Sequence, residues 1–118
     1  TGTIMGTSTF LKEQNNNVKI IGVQPTDDSR IPGIRKWQEA YLPKIFNTTK
    51  ADRMMEVSET EASGMSRYLA RKEGIFAGMS SGGATAAAVK LCEELEQGIV
   101  VSIVCDRGDR YLSSELFQ

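Results

Sequence analysis

Histidine is absent from the 118-residue sequence. Without it the chain cannot form a Ser-His-Asp triad, a Cys-His catalytic pair or a histidine-ligated zinc or iron site. Cysteine is scarce, since Cys92 and Cys105 are the only two, and they lack the CxxC spacing that serves metal or redox chemistry. We expect both thiols to be buried and reduced, which fits a cytoplasmic protein better than a disulfide-stapled one.

An excess of charge of one sign and long apolar runs are also missing. The 14 basic and 15 acidic residues leave a net charge of −1, whereas a nucleic-acid-binding domain normally carries an excess of Lys and Arg. No segment approaches the ~20 apolar residues of a membrane-spanning helix, and no signal peptide is visible. The composition therefore predicts neither a nucleic acid nor a membrane as partner, and the length suits about one domain.

An alternation of helical and extended segments is what the sequence does contain. The predicted elements of the first part are a helix from Gly2 to Asn15, a strand at 18–23, an irregular stretch to about Lys50, a short strand at 53–57, and a helix that starts with a Ser58–Glu61 capping box and ends at Gly74. The second part continues with an extended segment at 75–77, a glycine-rich turn at 78–83, a helix from Ala84 to Gly98, a strand at 99–104 and a charged turn at 105–110. This order is typical of a parallel sheet with helices on its faces, so the predicted fold class is α/β.

Two segments place glycine and hydroxyl residues at the start of a helix, namely Thr1-Gly2-Thr3 and Ser80-Ser81-Gly82-Gly83. A helix N-terminus offers unpaired N–H groups and the positive end of the helix dipole, which favour an anion, and glycine lets a ligand approach the backbone. The simpler alternative is that these residues only cap the helices. Neither segment matches a Walker A loop or the GxGxxG spacing of a dinucleotide fold.

Four segments taken together are more specific than either helix start alone. They are residues 1–6, 31–35, 73–83 and 105–113. In sequence, order and spacing they closely resemble the O-acetylserine sulfhydrylases, or cysteine synthases, of the β-family (fold type II) of pyridoxal-phosphate enzymes, over essentially all 118 residues. The resemblance implies the three-layer parallel-sheet core of such an enzyme. Residues 1–118 would be its C-terminal, cofactor-binding part of the large domain, starting inside the phosphate loop.

The resemblance also assigns cofactor-binding residues. Thr1, Gly2 and Thr3 would be the last residues of the loop that binds the phosphate of pyridoxal 5'-phosphate, and Ser80 would hydrogen-bond the pyridine nitrogen. A neutral hydroxyl does not keep that nitrogen protonated, so the ring is a weaker electron sink and suits β-elimination and replacement. The Schiff-base lysine and the loop for the substrate carboxylate would lie upstream. We therefore expect no catalytic residue in these 118 residues, and no activity or internal aldimine from them alone.

The implied activity is cysteine biosynthesis, in which sulfide replaces the acetate of O-acetyl-L-serine through an aminoacrylate intermediate. The segment 105–111 and Arg35 favour the B type of these enzymes, which also accepts thiosulfate. Arg35 would then bind the anionic sulfur donor and Asp106 would face the substrate. The alternatives are that Arg35 is a solvated loop cation and Asp106 a solvated turn carboxylate. The resemblance further implies a cytoplasmic homodimer, and no metal is expected.

Two other interpretations of the sequence remain. One is a different fold type II enzyme of the cystathionine β-synthase or threonine dehydratase type, against which stand the matches at 31–35 and 105–113. The other is a non-catalytic α/β binding module. A lysine in the family's motif upstream of Thr1 would favour an enzyme, and a start codon directly before Thr1 would favour the module.

Overall fold

The computed structural model describes residues 1–118, except for the side chains at positions 39 and 48. Its helices are α1 (Gly2–Gln14), α2 (Glu59–Tyr68) and α3 (Met79–Glu94), and its strands are β1 (Ile21–Pro25) and β2 (Arg53–Val57). A π-helical turn follows α2 at Leu69–Glu73, and short 3-10 turns lie at Glu39–Tyr41, Thr48–Lys50, Gly108–Tyr111 and Glu115–Phe117. The predicted α/β fold class is confirmed.

The two strands form a two-stranded sheet. The Ile20 carbonyl accepts from the Asp52 N–H at 2.8 Å, and further along both strands the Val57 carbonyl accepts from the Thr26 N–H at 3.0 Å. Since the residue numbers rise together on both strands, the pairing is parallel. The predicted short strand at 53–57 is confirmed, whereas the strand predicted at 18–23 is shifted and ends at Pro25.

The chain divides into two compact units, residues 1–22 with 36–55 and residues 23–35 with 56–118. In the first unit Asp52 links α1 to the start of the strands. Its carboxylate accepts from the Ile20 N–H at 2.8 Å and pairs with Lys12 at 2.8 Å. The Ile20 amide, followed by the Lys12 ammonium, lowers the pKa of Asp52 below its usual value.

The second unit is built around α2 and α3. The predicted capping box is confirmed, because the Ser58 hydroxyl accepts from the Glu61 N–H at 3.2 Å and the Glu61 carboxylate accepts from the Ser58 N–H at 2.8 Å. The predicted stop at Gly74 is confirmed as well, since its φ of 68° is left-handed, a conformation that glycine adopts without strain. Val57 and Ala62 are fully buried in the core of this unit.

The strand predicted at 99–104 is wrong, because the segment forms no regular structure and its apolar side chains are exposed. Ile99 is 94% and Val101 83% exposed. An apolar run becomes a strand only beside another strand that satisfies its N–H and C=O groups, and the described residues place none there. For the same reason the extended segment at 75–77 makes only an isolated bridge between Ala77 and Arg107.

Two further predictions about the second half are wrong. Helix α3 runs from Met79 to Glu94 rather than from Ala84 to Gly98, so the glycine-rich turn is part of the helix. Cys92 and Cys105 are free thiols but are exposed, not buried. The expected burial depended on a covered helix end and a covered strand at 99–104. The described residues provide neither.

None of the helices in the described part of the chain is both long enough and apolar enough to cross a bilayer.

Candidate functional site

The start of α3 contains two serines and two glycines, at positions 80–83, that are all buried. Gly78 is the N-cap residue and supplies no side-chain cap, and Met79 is the first helical residue. Ser80 is only 6% exposed and Ser81 is fully buried. Because both serines lie inside the helix, the simpler explanation that they cap it does not apply.

The two serine hydroxyls differ in their partners. The Ser81 Oγ accepts a hydrogen bond from the Cys105 N–H at 3.0 Å. Among the side chains that the structure describes, none forms a hydrogen bond with the Ser80 hydroxyl. The Ser81 hydroxyl is therefore engaged within the fold, whereas the Ser80 hydroxyl is available to a ligand. Ser80 is also the serine that the family resemblance assigns to the pyridine nitrogen.

A tight turn lies directly beside Ser80. The Ile34 N–H donates to the Ile31 carbonyl at 3.0 Å across Pro32 and Gly33, and the φ of 91° at Gly33 fits a type II turn. A Cβ atom at Gly33 would lie 3.0 Å from the Ser80 Cβ and 3.1 Å from its Oγ. Glycine is thus needed here both for the backbone and for the approach to Ser80.

Arg35 follows this turn and is exposed. The side chain of Ile34 packs against Gly83, because a Cβ added at Gly83 would lie 2.9 Å from the Ile34 Cδ1 atom. Arg35 is therefore attached to a segment that contacts the first turn of α3. Its assignment to the sulfur donor stays a prediction.

The glycines of the motif have a role that the sequence analysis missed. A Cβ at Gly82 would overlap the Ala62 carbonyl oxygen and the Ser66 side chain, so this glycine lets α3 approach the backbone of α2. At Gly83 a Cβ would lie 3.5 Å from both Ala62 and Val57. The pair of small residues Ala62 and Ser66, four positions apart on α2, is the signal that could have indicated this packing.

Asp106 lies against the N-cap of α3. The Gly78 N–H donates to the Asp106 carbonyl at 3.2 Å, and a Cβ at Gly78 would overlap the Asp106 Oδ1. The Tyr111 hydroxyl donates to the Asp106 Oδ2 at 2.6 Å, a hydrogen bond that raises the pKa of Tyr111. The Asp106 Oδ1 is buried and accepts no hydrogen bond within the described structure. Asp106 is therefore held in place rather than solvated, and its contact with substrate stays a prediction.

The first turn of α1 is exposed, in contrast to that of α3. Thr1 is the N-cap residue but makes no side-chain cap, and Thr1, Gly2 and Thr3 are all exposed. The atom nearest to a Cβ at Gly2 would be Ile45 Cδ1, at 4.0 Å. The exposed start of this 13-residue helix has no side-chain cap, and a helix N-terminus of this kind suits an anion. The assignment of these residues to a phosphate stays a prediction.

Two of the lysines take part in ion pairs. Lys12 pairs with Asp52, and Lys90 of α3 pairs with Glu61 of α2 at 2.5 Å. The hydrogen bond from Lys90, followed by that from the Ser58 N–H, lowers the pKa of Glu61 to about 2. Within the described part of the chain, no three His, Cys, Asp or Glu side chains form a group that could hold a metal ion.

Comparison with curated proteins gives matches along nearly the whole chain. It is 56% identical to cysteine synthase B of Pseudomonas aeruginosa over 117 residues, which are 99% of this chain and 39% of the relative. It is 49% identical to cysteine synthase B of Escherichia coli K12 with the same coverage. The chain therefore spans 39% of the length of these relatives.

Solved structures match the fold over the same extent. Cysteine synthase from Entamoeba histolytica has a TM-score of 0.88 at 33% identity and covers 98% of this chain and 37% of that one. The O-acetylserine dependent cystathionine beta-synthase from Helicobacter pylori has a TM-score of 0.82 at 34% identity, covering 99% of this chain and 40% of that one. The family model described as pyridoxal-phosphate dependent enzyme matches residues 1–106. The chain belongs to the pyridoxal-phosphate dependent enzyme family.

Proposed function

We propose that this chain supplies the C-terminal, cofactor-binding part of a cysteine synthase. The observation that carries the proposal is the free Ser80 hydroxyl, held between the Gly33 turn and the Ser81–Cys105 hydrogen bond. The relatives named cysteine synthase B support the choice of reaction, because their similarity extends over 99% of this chain.

The described residues fit pyridoxal phosphate in their chemistry. When bound, this cofactor supplies an electron sink for the negative charge that develops at the α-carbon of an amino acid. Ser80 would bind the pyridine nitrogen through a neutral hydroxyl, which favours β-replacement over transamination. The exposed amides at the start of α1, from Gly2 and Thr3, would bind the phosphate.

The proposed reaction exchanges the group on the β-carbon of O-acetyl-L-serine. The bond from this carbon to the acetate oxygen breaks, and a bond to sulfur from sulfide forms, giving L-cysteine and acetate. We propose that Arg35 binds an anionic donor such as thiosulfate, which would give S-sulfocysteine. The support is its cationic side chain on the turn that contacts Ser80, and Asp106 is proposed to face the substrate from the neighbouring loop.

The family resemblance also supports a cytoplasmic homodimer for the whole protein. Light scattering of the purified protein and cell fractionation would check these two points.

The test is product analysis with the whole protein, pyridoxal phosphate and O-acetyl-L-serine, using sulfide or thiosulfate as donor. We expect cysteine from sulfide and S-sulfocysteine from thiosulfate. In Arg35→Ala we expect kcat/KM to fall about tenfold with thiosulfate and less than about threefold with sulfide, because only thiosulfate offers an extended anion to the guanidinium. Arg71→Ala, which removes an exposed arginine after α2, is the matched control.

The outcomes separate the alternatives. Equal losses with both donors would contradict a role of Arg35 in donor choice. Cystathionine formed from added homocysteine, without cysteine from sulfide, would favour a cystathionine β-synthase. Oxobutanoate formed from threonine would favour a threonine dehydratase. Absence of any product would favour a non-catalytic module.

A further inference from the structure

The segment that carries Asp106 is fastened to the start of α3 by three hydrogen bonds. The Gly78 N–H donates to the Asp106 carbonyl at 3.2 Å, and the Gly108 N–H donates to the Phe76 carbonyl at 3.0 Å. The third bond runs from the Cys105 N–H to the Ser81 Oγ at 3.0 Å. Of these three bonds, only the third uses a side chain, so it is the one that a substitution can remove without altering the backbone.

Ser81 occupies a position that suits such a link. It is fully buried and follows Ser80 in the chain. Its Oγ accepts from the N–H of Cys105, the residue before Asp106. Gly82, the next residue, packs against Ala62 and Ser66 of α2 so closely that an added Cβ would overlap both. The Ser81 hydroxyl therefore connects a fixed helix turn to the loop that carries the carboxylate.

We propose that Ser81 is a positioning residue that fixes the Cys105–Asp106 backbone relative to the Ser80 hydroxyl. This inference rests on the proposed function of Ser80 as partner of the cofactor ring. Ser81 touches neither cofactor nor substrate. It acts by holding the amide of Cys105. Asp106, which is proposed to face the substrate, then keeps a fixed position relative to Ser80, which is proposed to bind the ring nitrogen.

The consequence of losing this hydroxyl follows from its geometry. In Ser81→Ala the Cys105 N–H would lose its acceptor in a partly buried place, and a buried unpaired N–H destabilises the local structure. The loop at 105–106 would then open more often. The backbone of Ser80 would keep its position. The Ser81 and Gly82 N–H groups donate to the Gly78 carbonyl at 3.1 and 3.2 Å, and these hydrogen bonds do not depend on the Ser81 side chain.

The test compares Ser81→Ala, Ser81→Thr and Ser8→Ala in the whole protein with pyridoxal phosphate bound. Ser8 is the matched control because it is also a fully buried helical serine, and its hydroxyl donates within α1 to the Met5 carbonyl at 3.0 Å. In Ser81→Ala we expect hydrogen exchange of the Cys105 amide to accelerate roughly 3- to 10-fold. We also expect the KM for the sulfur donor to rise about threefold or more, with a smaller change in kcat.

Two further readouts separate positioning from a purely structural role. The visible absorption of the bound cofactor is expected to stay close to that of the wild type in Ser81→Ala, because Ser80 is unchanged. Ser81→Thr, which keeps the acceptor oxygen, should restore the slow exchange of the Cys105 amide and the donor KM. Faster exchange with an unchanged KM, or a KM that rises equally in Ser8→Ala, would overturn the proposal.

Failure of the proposed function would give a different result. A wild-type protein without cysteine synthase activity would contradict the reaction assigned to Ser80. Hydrogen exchange of the Cys105 amide would still report on its hydrogen bond to Ser81. An exchange rate that is the same in Ser81→Ala and in the wild type would overturn the positioning role of Ser81, whatever the activity of the protein.

Discussion

Residues 80–83 at the start of α3 are buried, whereas residues 1–3 at the start of α1 are exposed, although both segments consist of glycine and hydroxyl residues. In α3 the space beside Gly82 is filled by α2, and Ser81 binds the Cys105 amide. In α1 a Cβ at Gly2 would have no atom closer than 4.0 Å. Neither turn has a side-chain cap.

This difference shows that glycine at the start of a helix has two separate uses. At α3 it permits contact between two helices, and of the two serines there Ser81 is hydrogen-bonded whereas Ser80 is not. At α1 it leaves the backbone amides accessible, which is what an anion requires. A motif of glycine and hydroxyl residues therefore does not by itself show which atoms face a ligand.

Replacing Gly82 with alanine should have the largest effect on stability. The added Cβ would overlap the Ala62 carbonyl oxygen and Ser66, so we expect Gly82→Ala to lower the free energy of unfolding by about 2 kcal/mol or more. In Gly2→Ala the change should stay within about 0.5 kcal/mol, because the space is open. Urea unfolding of the protein with each substitution measures both values.

Gly64→Ala is the control for the intrinsic helix preference of alanine. Gly64 is an exposed residue of α2 with no atom within 4 Å of its added Cβ, so alanine there should stabilise the protein by roughly 0.5–1 kcal/mol. A similar gain in Gly82→Ala would contradict the tight packing of α3 on α2, and with it the contrast between the two helix starts.

A smaller effect is expected from the ion pair that joins α2 and α3 further along. The pKa of Glu61 is lowered from 4.5 to about 2, so its contribution to stability is complete above about pH 4.5 and is lost as the pH falls towards 2. Glu61→Gln keeps a capping-box residue but removes the charge paired with Lys90. We expect it to be less stable at pH 7 by under about 1 kcal/mol, since the pair is partly exposed.

Unfolding experiments at pH 7, 4 and 2.5 would follow this difference. The gap between Glu61→Gln and wild type should shrink as the pH falls, while Glu93→Gln, at an exposed position of α3, serves as the control for loss of a carboxylate. A gap that stays constant across this range would show that the Lys90 contact does not stabilise the pairing of the two helices.

The elements that sequence predicts correctly are those stabilised by neighbouring residues. The capping box of Ser58 and Glu61 and the left-handed stop at Gly74 are local features, and both form. The strand predicted at 99–104 does not form because a strand depends on a partner strand from elsewhere in the sequence, and the described residues provide none. Apolar composition alone could not reveal that.

The candidate site shows the same limit. The resemblance selects Ser80, and the structure leaves its hydroxyl unpaired among the described side chains, but no pattern in the sequence predicts that Ser81 binds Cys105 or that Tyr111 binds Asp106. These contacts join residues of α3 to a loop about 25 positions away or lie within that loop. The order of the residues along the chain does not show which of them meet, and only the three-dimensional structure does.

Ser80→Ala in the whole protein with pyridoxal phosphate tests whether the Ser80 hydroxyl is kept free for the cofactor. We predict a free energy of unfolding without cofactor within about 0.5 kcal/mol of the wild type, because no described side chain depends on this hydroxyl. We also predict an altered visible absorption of the bound cofactor and a rate of cysteine formation about tenfold lower, from the loss of one hydrogen bond. An unchanged spectrum and rate, or a large loss of stability without cofactor, would contradict the account.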